Sequence, residues 1–585
     1  MIAIPTHPAT TRARPGALFA AAVPVLTAVC LVLAAAMVAD TVATIVRLHS
    51  ALPYFDEWDE LDLLKYALHG DTSWFGTLVT QHNEHRIVFP RLVFYADDFL
   101  FGGRGILDRI AILAIQVGQA AMLVGLLRRA LPRPVLLRRD HTFLALASVS
   151  VMLLSCLRQE ENFSWGFQVQ FVGIFALGTL AFILFAAALE RMRDGGSSLG
   201  WLLAAYAAAF VATFTMANGL LCAVVLVVLA VLWRAPLRVV LASLGVTALL
   251  AAAYLHGYEP QTAHTSLGFS LRHPLRVLSY AAAYLGNFLD PDIAWARLLG
   301  LVGLAGTALA VARTYVCRDS TPARLALVGV MLFTAGTAAL TALGRLGFGL
   351  DQAMSSRYST GSAAFWSALL IYAWSVSAEW RRPAILRGLI AVTALVLVAG
   401  AVRSQGAMKN GMEQRAYSEA MTRDALLLGL HDKDTFGNVD DTTDVIVRLS
   451  ALLKERGWSV FGEPDAGLVG RPLTEAGPLG DAAACRGTLA AAVSVPAFGH
   501  EGVSVVGQAW GLHHNRLNGR TYVADDRNTI VGFGSREPPG DDPSTWTGYA
   551  VAAPGATLRA FAQFSNGLLC PLGERTVDPA AAASH

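Results

Sequence analysis

Long apolar runs alternate with short arginine-bearing stretches over roughly the first 400 residues. The runs lie near 17–47, 106–127, 141–157, 169–189, 200–217, 219–233, 239–258, 294–314, 325–343, 360–378 and 388–403. Each approaches or exceeds the roughly 20 apolar residues that cross a bilayer as a helix. Backbone N–H and C=O groups find no partner in hydrocarbon, so each run is expected to be helical. The pattern predicts a polytopic α-helical membrane protein with about eleven transmembrane helices in residues 1–403. The pair meeting at Asn218-Gly219 is joined by a very short turn.

Beyond about residue 404 the pattern changes. Residues 404–479 read as polar helix and linker. Residues 480–575 alternate apolar and polar positions in short runs at 491–495, 502–510, 521–524, 529–534, 549–552 and 558–564, punctuated by Gly, Asn, Asp and Pro. Such spacing predicts a β-sandwich-like soluble domain. Residues 576–585, with the run Ala580-Ala583, read as a disordered tail.

Composition agrees with a bilayer as solvent. Hydrophobic residues make up 54% of the 585 and charged residues 15%, against roughly 25% charged in soluble domains. A net charge of +2 argues against a nucleic-acid partner, which would need a basic face. Arg12 and Arg14 precede the first run, which is too long for a signal-peptide core and is read as a retained span. With the N-terminus cytoplasmic, the inner loops hold Arg128, Arg129, Arg133, Arg138 and Arg139, then Arg191 and Arg193, Arg234 and Arg238, Arg318 and Arg324, and Arg381, Arg382 and Arg387. The outer segments are 48–105, 158–168, 259–293, 344–359 and the whole C-terminal region. The first contains amphipathic stretches near 57–69 and 87–101 that could lie along the membrane surface. Among six cysteines, Cys30, Cys156, Cys222 and Cys317 lie in or beside apolar runs, whereas Cys485 and Cys570 bracket the strand-rich segment. That bracketing makes them a disulfide candidate in an oxidising compartment.

Four groups of ionisable residues fall on the outer side. The first is Tyr54-Phe55-Asp56-Glu57-Trp58-Asp59-Glu60, whose carboxylates could work as general bases near a bilayer boundary or could simply complement a helix N-terminus. The second, Gln81-His82-Asn83-Glu84-His85-Arg86 with Pro90-Arg91, could hold a phosphate, a sugar, or a divalent metal on His82, Glu84 and His85. The third is Arg158-Gln159-Glu160-Glu161-Asn162. The fourth comprises Arg345, Asp351, Gln352, Ser356, Arg357 and Tyr358. Interfacial snorkelling is the other reading of Arg345 and Arg357. Tyr54, Trp58, Trp74 and Trp165 could stack on sugars or form an aromatic belt. In the C-terminal region His513, His514, Asn515, Arg516, Trp510, Tyr522, Trp546 and Tyr549 could contact glycan or build a core.

The runs Phe55-Asp56-Glu57-Trp58, His82-Asn83-Glu84-His85-Arg86 and Ser356-Arg357-Tyr358, set in this topology, resemble the GT-C superfamily of lipid-phosphosugar-dependent membrane glycosyltransferases of the bacterial cell-envelope type. The resemblance implies a polyprenyl-phosphate-linked sugar donor and a cell-envelope glycan or lipid acceptor. It implies a place in the bacterial inner (plasma) membrane, with the C-terminal domain periplasmic or extracellular. Asp56, with its neighbour Glu57, matches the family's catalytic position. His82, Glu84, His85, Arg86, Arg158, Glu160, Arg357 and Tyr358 are then the expected substrate-binding residues. Transfer would invert the anomeric centre, with Asp56 as general base. An outer-face glycan polymerase or ligase is an alternative. A lipid or glycan transporter is another, although its ionisable residues would be expected at the midplane.

Overall fold

The computed structural model describes residues 15–131, 141–260, 266–317, 320–495, 501–512, 517–538 and 544–579. Arg12, Arg14, Arg133, Arg138, Arg139, Arg318, the 513–516 loop and the 580–583 run lie outside them.

The first helix, α1 (Pro15–Arg47), leads into a long first loop folded as α2 (Asp56–His69), α3 (Trp74–Val79) and α4 (Val88–Phe101). The first turn of α2 carries Asp56, Glu57 and Asp59, where negative charge favours the helix N-terminus. Its Trp58, Leu61 and Leu64 are buried beneath it. The turn after α4 passes through Gly102, Gly103 and Gly105, all with positive φ, a conformation in which side chains are strained. Asp97 accepts from the backbone N–H groups of Gly105 (2.6 Å) and Leu107 (2.7 Å) and so anchors the start of α5 (Ile106–Ala130).

The bundle continues with α6 (His141–Ser155), α7 (Glu160–Ser164), α8 (Val169–Arg193), α9 (Leu199–Thr213), α10 (Leu220–Trp233) and α11 (Leu237–Leu255). The segment 259–293, to which the sequence pattern assigns no element, contains α12 (Leu267–Arg272) and α13 (Pro274–Leu285). Next come α14 (Ile293–Val316), α15 (Pro322–Arg345) and α16 (Ser359–Val376). A Cβ on Gly300 of α14 would lie 1.9 Å from the Ala282 carbonyl of α13. Only a glycine allows that approach, the small-residue packing that membrane helices use.

All eleven apolar runs fall on helices. Eight helical stretches among the described residues are long and apolar enough to cross a membrane. Leu199–Thr213 and Ala217–Trp233 are shorter apolar helices, and α16 is buried by protein along almost its whole length. This is a multi-pass membrane protein. One end of the bundle gathers many of the arginines that lie between the apolar runs. Arg193 lies over Trp233, Arg234 over Tyr315 and Arg387 over Trp374, while Arg313 and Arg324 share Glu379.

At the opposite end α17 (Pro383–Leu428) passes straight through residue 404 as one 46-residue helix. At 1.5 Å per residue it is about 69 Å long, twice the hydrocarbon thickness, so its C-terminal half stands outside the bilayer. There it meets α18 (Lys433–Phe436), α19 (Thr443–Arg456) and the strand domain. Arg448 of α19 bonds Asp62 of α2 at 2.6 Å, and Arg520 bonds Asp424 of α17 at 2.7 Å. The first outer loop, α17 and α19 thus share one core.

The strand domain departs from the expected sandwich. Strands β1 (Cys485–Ser494), β2 (Gly502–Gly511), β3 (Leu517–Ala524), β4 (Ile530–Arg536), β5 (Thr545–Val551), β6 (Thr557–Phe564) and β7 (Leu569–Thr576) form one antiparallel sheet in the order β1-β2-β5-β4-β3-β6-β7. The sheet curls so that its two edges meet. A Cys485–Cys570 disulfide joins β1 to β7, with Cα atoms 6.3 Å apart. The result is barrel-like, filled by Leu489, Val505, Val523, Trp546, Leu558 and Leu572. Tyr522, Trp546 and Tyr549 are buried and present no face to a glycan, whereas Trp510 is exposed.

Candidate functional site

The turn 82–85 organises the end of the bundle opposite the arginine-rich one. His82 N–H donates to the His85 carbonyl (2.8 Å), and His85 N–H returns the bond at 2.7 Å. Asn83 takes the left-handed conformation that so tight a turn needs, with φ 47°. The turn is tied to the chain just after α11 by Gln81, which donates to the Glu259 carbonyl (2.7 Å) and accepts from Glu259 N–H (3.0 Å). Its two histidines face different clusters.

His82 faces α2. Its Nε2 lies 3.4 Å from Asp56 Oδ1 and its Nδ1 3.3 Å from Glu60 Oε1. Buried Arg91 grips Glu60 through Nε (2.7 Å) and Nη2 (2.9 Å). Burial alone would lower the His82 imidazole, but bonding and charge from Asp56 and Glu60 overcome it and push His82 up to about 9. Asp56 is about one-third exposed, at the rim of this cluster.

The same place bears on the metal question. Asp56, Asp59 and His82 offer ligand atoms within 4.8 Å of one another. Two carboxylates and an imidazole suit a divalent cation in donor type, although the cation would have to displace the proton that His82 holds. The expected trio of His82, Glu84 and His85 is not assembled, because the latter two turn the other way.

They turn toward a cavity of about 290 Å³ at the same end of the bundle, among α8, α10, α13, α15 and α16. Glu84 Oε1 accepts from Arg345 at 3.0 Å. His85 Nδ1 accepts from Ala217 N–H at 3.3 Å, and burial lowers its imidazole to about 4, so it is neutral. Arg357 lines the cavity, its guanidinium 5.8 Å from the ring of Tyr358, which stacks on Tyr284 with centroids 4.7 Å apart. Arg357 Nε is buried without a hydrogen-bond partner. Phe171, Phe175, Met216 and Leu340 form an apolar wall.

The backbone that presents Arg357 is held from α7. Glu161 Oε2 accepts from Ser355 Oγ (2.9 Å), Ser356 Oγ (2.8 Å) and Arg357 N–H (2.9 Å). Glu160 accepts from Ser356 Oγ at 3.0 Å and faces Arg415 at 3.6 Å. Glu160 therefore supports the 355–357 segment and lies outside the cavity lining.

Three expected site residues are committed elsewhere. Glu57 accepts from the N–H groups of Tyr54 (2.8 Å) and Phe167 (3.1 Å), a backbone clasp that joins α2 to the start of α8. Arg86 donates to the carbonyls of Val79 (3.0 Å), Tyr254 (2.9 Å) and His256 (2.6 Å). Buried Arg158 donates to the carbonyls of Asn287 (2.9 Å) and Met354 and lies 3.6 Å from Asp290. Arg158 is thus taken up by the scaffold, while Asp56 lies against His82 and Arg357 lines the cavity that Glu84 and His85 face. Asp56 and Arg357 stand at the two ends of the 82–85 turn. Trp58 and Trp165 are buried as well, which removes them as sugar platforms. Glu60, Arg91 and Arg345 turn out to be integral to the two clusters. Their types were visible in the chain, but nothing local marks Glu60 as the partner of Arg91.

Among solved structures, the chain is similar to the archaeal oligosaccharyltransferase AglB from Archaeoglobus fulgidus, in complex with an inhibitory peptide and a dolichol-phosphate. The match covers 69% of this chain and 58% of that one, at 13% identity and a TM-score of 0.36. The chain thus matches less than two thirds of that protein's length. No family model matches the sequence, and no curated protein matches it.

Proposed function

We propose that the chain is a membrane glycosyltransferase of GT-C type. It moves a sugar from a polyprenyl-phosphate-linked donor to a cell-envelope glycan or lipid acceptor on the outer face of the bacterial inner membrane. The observation that carries this reading is Arg357. A guanidinium with an unpartnered buried N–H, beside a second guanidinium on Arg345 and against an apolar wall, suits a phosphate that arrives on a lipid.

In this reading Arg357 and Arg345 bind the donor phosphate and stabilise the charge that grows as the sugar–phosphate bond breaks. The sugar extends along the 82–85 turn toward Asp56. The acceptor hydroxyl attacks the anomeric carbon opposite the departing phosphate, and its proton passes to Asp56. Configuration inverts, and no covalent enzyme intermediate forms. His82 fixes one oxygen of the Asp56 carboxylate and leaves the other for the proton. A divalent cation, if bound by Asp56, Asp59 and His82, would supply further charge stabilisation there. The barrel-like domain and α19, packed over the first outer loop, bind acceptor or cover the site.

The test is transfer assayed in proteoliposomes with polyprenyl-phosphate sugars, alongside mass spectrometry of envelope glycans with and without the gene. Sugar transfer that depends on Asp56 and donor binding that depends on Arg357 would support the reading. Donor affinity unchanged by loss of Arg357 would overturn it.

A further inference from the structure

A second polar space lies under α2 and is not part of the cavity just described. Here α2, α4, the Gly102–Gly105 turn and α5 enclose a cavity of about 50 Å³. Four carboxylates line it, from Glu57, Asp97, Asp98 and Asp108, with the guanidiniums of Arg104 and Arg109. Glu60 also reaches its wall but is neutralised by Arg91. Four carboxyl groups thus stand against two guanidiniums in the lining.

The hydrogen bonds of these groups divide them into two kinds. Glu57 and Asp97 are satisfied by backbone N–H groups. Arg104 donates to the Phe101 carbonyl (2.7 Å), and Arg109 donates to those of Gly105 (3.1 Å) and Ser164 (2.9 Å). Asp108 has no such donor: the residue is 6% exposed, and its Oδ1 is buried with no hydrogen-bond partner. Asp98 points its carboxylate into the tight glycine turn, 2.9 Å from where a Cβ on Gly103 would sit. A buried carboxylate oxygen without a donor is strongly unfavourable unless something else meets it.

The size and the donors define what could meet it. A water needs roughly 10–15 Å³ of such space, so the cavity accommodates a few waters or one partly hydrated ion. No histidine, cysteine or methionine lines it, which disfavours zinc and copper. Oxygen donors spread around a space larger than one water suit Ca²⁺, which accepts flexible shells of carboxylates, carbonyls and waters, better than Mg²⁺, which demands a tight octahedron. We propose that this cavity is a calcium site, with Asp98 and Asp108 as its carboxylate ligands and water completing the shell. The ion would tie α4 and α5 together beneath α2, and so hold in place the helix that carries Asp56.

The test uses the full chain in nanodiscs, stripped with EGTA. Because Asp56 and Asp59 could bind the same ion, the background is Asp56→Asn/Asp59→Asn. Radioactive Ca²⁺ binding should give one site per chain on that background. The melting temperature, read by tryptophan fluorescence, should rise several degrees as CaCl2 is added, and less with MgCl2. Asp98→Asn/Asp108→Asn should lose the bound Ca²⁺ and the shift, while melting no lower than the stripped wild type; should that pair fail to fold, Asp108→Asn alone serves. No Ca²⁺ on the Asp56→Asn/Asp59→Asn background, or Ca²⁺ retained by Asp98→Asn/Asp108→Asn, overturns the proposal. An equal response to MgCl2 overturns the calcium preference.

Discussion

His82 Nε2 lies 3.4 Å from Asp56 Oδ1, at the exposed rim of an otherwise buried cluster. The imidazole orients the carboxylate without enclosing it. Asp56→Asn keeps the size of the side chain and removes its ability to accept a proton. Sugar transfer should fall by roughly 10²–10⁴, with membrane insertion unchanged. Turnover rates in proteoliposomes check this, and transfer near the wild-type rate would remove Asp56 from the role of base.

Arg357 differs from the other arginines near it in having a buried N–H to offer. Arg357→Ala should weaken binding of a polyprenyl-phosphate sugar by roughly 10–100-fold, the range for a charged hydrogen bond. Arg357→Lys should recover only part of that, because an ammonium lacks the forked geometry. Donor titration by fluorescence quenching would measure both.

Arg86 supplies the contrast. Its guanidinium donates to three carbonyls that join the first outer loop to the end of α11. Arg86→Ala should destabilise the protein by roughly 1–3 kcal/mol, since two part-buried carbonyls and one exposed carbonyl lose their donor. Donor affinity per folded molecule should hardly change. Thermal melting and donor titration on the same preparation separate the two effects.

His85 gives the turn a pH dependence. Burial lowers its imidazole from 6.5 to about 4. A depressed imidazole contributes its full stability above pH 6.5, where it is neutral both folded and unfolded. As pH falls below 6.5 the unfolded chain takes up a proton that the folded one refuses, and stability drops until the folded group also protonates near 4. The loss should reach about 3 kcal/mol, because each tenfold difference in proton affinity between the two states is worth roughly 1.4 kcal/mol. Glu84, His82, Arg345 and Asp56 are the charged groups around it. Melting between pH 7 and 4 should show the drop in wild type and a flatter curve in His85→Gln.

The Cys485–Cys570 disulfide spans 85 residues and closes β1 on β7. Restricting so long a segment of the unfolded chain contributes roughly 2–5 kcal/mol. Reduction, or Cys485→Ala/Cys570→Ala, should lower the stability of the barrel-like domain by that amount while leaving the membrane bundle intact. Tryptophan fluorescence with and without dithiothreitol follows the change, with Trp510 and Trp546 as reporters inside the domain.

Particular elements show why some of this was legible and some was not. The helices of the bundle could be read because an apolar run in a bilayer has one way to satisfy its backbone. The six alternating runs fall on strands for a similar local reason, whereas β7 shows no such alternation because Pro571 and Gly573 interrupt its pattern. Barrel-like closure was hidden too. Whether one sheet curls onto itself or two sheets stack depends on which edge strands meet, and β1 and β7 lie far apart in the chain.

The sequence by itself determined that the chain crosses a membrane many times and that its chemistry-bearing residues fall in segments outside the spans. Only the tertiary structure decided which of those residues are available. Arg86, Arg158 and Arg357 are the same residue type in similar polar runs. Carbonyls at distant helix ends saturate the first two, while the third faces a cavity. The physical reason is that a guanidinium's partners are chosen by packing across the bundle, and such choices leave no trace in the residues beside it.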